Sequence, residues 1–143
     1  MKKPLFLFLA LMILSSQFLC AQTEVKISPV ALLGGLFAIS VEQGITDDFG
    51  VEADFYGAIE AGGAFVVSAK YYFNPREGLD RFHAGIYAGG ISDTGAGVGF
   101  LVGTKIVSRK NILFEIGLGI GRTFDDGFLP YGKLHLGYRF GGI

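Results

Sequence analysis

Lys133-Leu134-His135-Leu136-Gly137-Tyr138-Arg139-Phe140 is the stretch that decides the fold. Lys133, His135, Gly137 and Arg139 share one parity, and Leu134, Leu136, Tyr138 and Phe140 the other. Successive side chains of a strand point to opposite faces, so this segment is a strand with one polar and one wholly apolar face. The same parsing runs back along the chain. Phe114, Ile116, Leu118 and Ile120 oppose Glu115, Gly117, Gly119 and Gly121. Val98, Phe100, Val102, Thr104 and Ile106 oppose Gly97, Gly99, Leu101, Gly103 and Lys105. Phe82, Ala84, Ile86 and Ala88 oppose His83, Gly85, Tyr87 and Gly89, while Phe65, Val67, Ala69, Tyr71 and Phe73 oppose Val66, Ser68, Lys70 and Tyr72. Val51, Ala53 and Phe55 oppose Glu52, Asp54 and Tyr56, and Phe37, Ile39 and Val41 oppose Ala38, Ser40 and Glu42. A first strand over 25–33, interrupted by Pro29, brings the expected number to eight.

The connections fall into two alternating sets. Thr46-Asp47-Asp48, the run from Asn74 to Arg81, and Ser108-Arg109-Lys110-Asn111 are polar, basic or strongly turn-forming. Gly34-Gly35 and the segments 57–63, 90–96 and 123–130 form the other set. Eight strands place both termini beside the first set. The apolar stretch 30–39 contains Gly34-Gly35 and reads as a hairpin, and no mature segment approaches 18 uninterrupted apolar residues.

Ahead of the strands stands a leader. Met1-Lys2-Lys3 is a short positive region, residues 5–14 are apolar and uncharged, and Leu19-Cys20-Ala21 precedes the expected cleavage site. This is the build of a signal peptide over 1–21, leaving a barrel over 22–143. Cys20 is the only cysteine, and bulky Phe18-Leu19 before it argue against lipidation. The mature chain therefore has no disulfide and no thiolate metal ligand.

Composition excludes other classes. The chain has 143 residues, with 50% hydrophobic, 17% charged and 23 glycines, and a formal net charge of −1. A nucleic-acid binder needs a basic surface that this balance does not supply, and mean hydropathy is +0.48. The charges then choose between a soluble and a membrane barrel. Lys26, Glu42, Glu52, Asp54, Lys70, Lys105, Glu115, Lys133 and Arg139 share the polar face; Arg122 alone lies on the apolar face, at the end of its strand. A continuous apolar face would aggregate in water, whereas in a bilayer a midplane charge on a barrel costs about 2–4 kcal/mol. Phe49, Tyr71, Phe73, Phe82, Phe114, Tyr138 and Phe140 border the first set of turns, as an interfacial girdle would. The expected fold is an all-β, eight-stranded, antiparallel up-and-down transmembrane β-barrel.

With the leader, the segment from Phe37 to Gly50 and the last strand in view, the chain resembles the small outer-membrane β-barrels of Gram-negative bacteria, such as the OmpA transmembrane domain and OmpX, and the short barrels of the Bacteroidetes. The resemblance implies placement in the cell outer membrane, contact with lipopolysaccharide and phospholipid, and insertion by the barrel-assembly machinery. Members often end on an aromatic residue; here Gly141-Gly142-Ile143 follow Phe140.

An eight-stranded interior is just wide enough for side chains to fill. Lys26, Lys70, Lys105, Lys133 and Arg139 balance Glu42, Glu52, Asp54 and Glu115 there, with Tyr56, Tyr72 and Tyr87 filling space beside glycines. An ion-pair core and a non-conducting barrel follow. His83 and His135 face inward and are followed by Ala84-Gly85 and Leu136-Gly137, so neither has the neighbouring serine that resemblance to lipid A deacylases would require. Two histidines alone do not make a zinc site, and the glycines inside strands do not open a phosphate-binding helix. Asp93, Asp125 and Asp126 read as solvated loop carboxylates, with bridging of divalent ions to lipopolysaccharide as the alternative. No catalytic, cofactor or metal residue is assigned. The expected role is structural or interactive in the envelope; the alternatives are a lipid-modifying enzyme on the same barrel and a soluble exported barrel holding an apolar ligand.

Overall fold

The computed structural model describes residues 22–58, 62–93 and 95–141; the expected signal peptide over 1–21, with Cys20, and the last two residues lie outside them. Eight strands carry the period-two pattern: β1 (Thr23–Ile27), β2 (Leu36–Gly44), β3 (Phe49–Ala58), β4 (Gly63–Tyr72), β5 (Arg81–Ile91), β6 (Gly95–Val107), β7 (Ile112–Thr123) and β8 (Phe128–Phe140). Each pairs antiparallel with its neighbour in sequence, and β8 returns to β1, so the sheet is a closed up-and-down barrel. Closure matters physically, because it gives every strand a partner on each side. The seam joins Thr23 to Phe140 and Ile27 to Leu136.

Pro29 changes the first hairpin. A strand over 25–33 is not formed: β1 begins two residues earlier, at Thr23, and ends at Ile27. Proline lacks the N–H that a ladder needs and holds the preceding residue extended. Ser28 is accordingly extended and accepts a hydrogen bond from Ala31 N at 3.3 Å, capping a single helical turn, α1 (Pro29–Leu33), with proline at its first position. The stretch 30–39 is thus a helical turn, then Gly34 and Gly35, then strand. Gly35 has φ +75°, a conformation that glycine enters freely.

The ends of the barrel differ in construction. At the near end, where β1 begins and β8 ends, the β2–β3 turn is tied by Thr46 Oγ1 donating to Asp48 at 2.8 Å. The β6–β7 turn closes through Asn111 at φ +62°. The β4–β5 connection folds inward instead of standing as a plain polar turn. Its Leu79 is 1% exposed, and Arg139 donates to the carbonyls of Glu77 and Leu79. At the far end, Thr123 Oγ1 accepts from Gly127 N at 2.7 Å in the β7–β8 turn.

Burial inverts the usual arrangement. Val25, Phe37, Ile86, Phe100, Leu118, Ile120 and Leu136 are exposed on the outer face, while Lys26, Lys70, Lys105, Glu24, Glu42, Glu52 and Glu115 are fully buried inside. The near-end aromatics form a band on the outside, with Tyr71 against Phe73 (5.1 Å between centroids), Phe73 against Phe82 (5.5 Å) and Tyr138 against Phe140 (4.9 Å). A second band at the far end includes exposed Phe37, Phe55, Phe65, Phe124 and Phe128.

Candidate functional site

The interior is layered. At the near end, Leu79 and Leu113 close the mouth, both essentially unexposed. A central ionic layer follows. Beyond it, Val66, Tyr87, Leu101, Leu129 and Tyr131 pack as an apolar cluster, with Tyr56 against it. Tyr87 donates to the Leu129 carbonyl at 2.6 Å and lies over the bare backbone of Gly99, Gly119 and Gly121; a Cβ on Gly99 would stand 2.6 Å from its ring.

Register builds the ionic layer. Glu42 and Glu52 are cross-strand partners, as are Lys105 and Glu115, and Glu115 and His135. Lys26 donates to Glu42, Glu52 and Glu115. Lys70 reaches the same three carboxylates at 2.8, 2.9 and 2.8 Å. Lys133 donates to Glu52 and lies 2.7 Å from Glu115. Lys105 bridges Glu24 at 2.6 Å and Glu42 at 2.7 Å, and its ammonium sits 4.7 Å above the Tyr72 ring. Tyr72 completes Glu42 through a 2.5 Å hydrogen bond. Ammonium groups threaded between carboxylates in this way satisfy one another, which is the condition for keeping buried charge at all.

All nine strand charges assigned inward from the alternation are there, and Arg122 lies outside at the far end of β7, 2.7 Å from Asp126. Glu24 was not among the expected inward residues. It is fully buried and binds both Lys105 and Arg139, making the interior charges of the strands five against five. Its parity with Lys26 was the available signal, hidden by starting the strand at Val25. Tyr131, which donates to Asp54, likewise lies two residues ahead of the segment read as the last strand.

Both histidines are enclosed. His83 Nε2 is 3.3 Å from Glu115, and its ring lies 4.9 Å from that of Tyr72, tilted by 46°; His135 Nδ1 is 4.0 Å from Asp54. Among the described residues, no hydrogen bond joins either imidazole to a serine hydroxyl. Glu52, Glu115 and His135 bring three potential ligand atoms within 4.8 Å of one another. Lys26, Lys70 and Lys133 already donate to those carboxylates, so a divalent ion there would have to displace ammonium groups. No family model, curated protein or solved structure matches the chain.

Proposed function

We propose that this chain is an integral outer-membrane β-barrel protein of a Gram-negative envelope, exported by a cleaved signal peptide over 1–21. Its role is structural or interactive and not enzymatic. It is similar in kind to the OmpA transmembrane domain and OmpX. One observation carries the reading: ten strand charges are gathered inside while the outer face is apolar between two aromatic bands, and the exposed strand charges among the described residues, Arg81 and Arg122, stand at strand ends. Water has no use for such a surface, and a bilayer requires one. The closed ladder supports the reading, since lipid offers no partners for free backbone groups. The layered interior supports a barrel that does not conduct. Enclosure of His83 and His135 supports a non-catalytic role. Lipopolysaccharide and phospholipid are its surroundings, and the barrel-assembly machinery its partner during insertion.

Gel mobility of the protein from an outer-membrane fraction, unheated and boiled in SDS, tests this. Sedimentation with that fraction and a heat-dependent band shift are expected. Protein released without detergent, with no shift, would overturn the assignment.

A further inference from the structure

The ladder that closes the barrel is incomplete at its seam. β1 and β8 pair from Thr23 with Phe140 as far as Ile27 with Leu136, and there β1 ends. β8 runs on to Phe128 with β7 as its only partner strand, and β2 runs on to Leu36 beside β3. Between their far halves lies α1, none of whose residues is buried. Parity tells which backbone groups this leaves open. Arg139 N donates to the Asn111 carbonyl, so the odd residues of β8 bond toward β7 and the even ones face β1. Ser28 N donates to the Ala38 carbonyl of β2, so the odd residues of β1 face β8. Carried on in register, the next bonded pairs would be Pro29 with Leu134, Ala31 with Gly132 and Leu33 with Pro130. A proline stands in the first of these on one strand and in the third on the other, and neither has an N–H to give. The seam is kept unzipped from both sides. Among the described residues, no backbone hydrogen bond joins α1 to Gly132 or Leu134.

At the foot of this break the interior has unmet polar groups of its own. His135 is next to Leu136, the last β8 residue that the seam pairs. Both of its ring nitrogens, and Asp54 Oδ1, are buried without a hydrogen-bond partner, in residues 1% exposed. Tyr131 donates to the other carboxylate oxygen of Asp54. His135 Nδ1 and Asp54 Oδ1 stand 4.0 Å apart. That is too far for a hydrogen bond, but two bonds of about 2.8 Å meeting at a bent angle span it. A water molecule bridges in this way, accepting from one group and donating to the other. We propose that the far half of the seam is a blind aqueous cleft, lined by the free backbone of β8 beneath α1 and ending on a water held between Asp54 and His135. Strand backbone without partners is tolerated at membrane depth only inside protein or beside water. To that extent the inference rests on the membrane reading; the register and the Asp54–His135 spacing stand without it. The cleft goes no deeper, because Lys26, Lys70 and Lys133 with their carboxylates fill the axis below. It is a well and not a channel.

The test is solution NMR of the protein purified in neutral detergent, reading amide exchange into heavy water and magnetisation transfer from water to side chains. The SDS band shift is read on every sample. Gly132 and Leu134 should exchange about a hundredfold faster than Leu136 and Tyr138, which β1 pairs, and than Tyr131 and Lys133, which β7 pairs. Water should contact the His135 ring and leave the methyl groups of Leu101, buried in the same half of the interior, untouched. Pro29→Val together with Pro130→Val supplies the two missing donors. In that variant Gly132 and Leu134 should slow about tenfold or more, and the water contact at His135 should weaken. Gly132 and Leu134 as slow as Leu136 in the wild type would overturn the cleft. So would the absence of water at His135, or equal contact at His135 and Leu101, which is general wetting. A folded double variant with Gly132 and Leu134 still fast would overturn it too, since the prolines would not be what holds the seam. If the double variant lacks the band shift, the wild-type readings decide alone. Wild-type protein with no shift and no need of detergent removes the membrane reading, and the same readings in buffer then decide the cleft separately.

Discussion

Arg139 donates from Nε and Nη2 to one oxygen of Glu24, at 2.9 and 2.8 Å, across the seam where the last strand meets the first. The same guanidinium donates to the Glu77 and Leu79 carbonyls, so one side chain fastens both the seam and the near-end plug. Glu24→Ala strips Arg139 and Lys105 of a buried partner. Removing one member of a buried pair costs about 3–5 kcal/mol. The variant should unfold at a clearly lower urea concentration in detergent, followed by loss of the fast-migrating band. An unchanged midpoint would mean that the seam does not depend on this pair.

Leu79→Ala should destabilise the barrel by about 2–5 kcal/mol, the range for large-to-small changes at buried sites. It should not make a channel, because the ionic layer and the cluster around Tyr87 still fill the lumen. Planar-bilayer recordings of the variant check this. Steady conductance would show that the loop is the principal seal.

Gly99→Ala places a methyl group 2.4 Å from the Ile120 carbonyl oxygen and 2.6 Å from the Tyr87 ring. Overpacking of this kind costs about 1–3 kcal/mol. Equilibrium unfolding should register the loss, and a neutral result would show that the wall over Tyr87 can yield.

Leu118 lies mid-strand on the outer face, 69% exposed. In water, Leu118→Arg would be nearly neutral. In a bilayer it should cost about 2–4 kcal/mol. Comparing folding of this variant into phospholipid vesicles with that of wild type separates the two environments, and equal stability would argue against lipid on this face.

His83→Ala and His135→Ala should weaken the interior packing and leave the lipid A of the host unchanged. Mass spectrometry of extracted lipid A, from cells in which the variants still show the band shift, provides the measurement. An altered profile in wild-type cells that either substitution abolishes would instead favour a lipid-modifying enzyme.

Alternation made the barrel legible because a strand's period of two is an exact geometric property: Lys133 and His135 face one way as firmly as Leu134 and Leu136 face the other. The ionic core was legible for the same reason, since each charge's parity fixes its side. Pro29 was visible as an interruption, but its outcome was not. Whether such a proline breaks a strand or opens a helix depends on neighbours such as Ser28, whose hydroxyl supplies the cap. The inward fold of the β4–β5 connection was hidden by polar composition. Leu79 is the one large apolar side chain between Asn74 and Asp80, and its anchor, Arg139, lies 60 residues away.

β1 pairs with β8 over five residues, and β8 is the last in order of the eight strands of the barrel. The first strand of the barrel is thus held without one of its two neighbours until the eighth has been made. During that wait Lys26 has no carboxylate of Glu115 beside it, and Glu24 has no Arg139. Both must stay hydrated. Closing the cylinder and drying its axis are therefore a single late event, and a chain truncated before β8 would be left with an open, wet sheet.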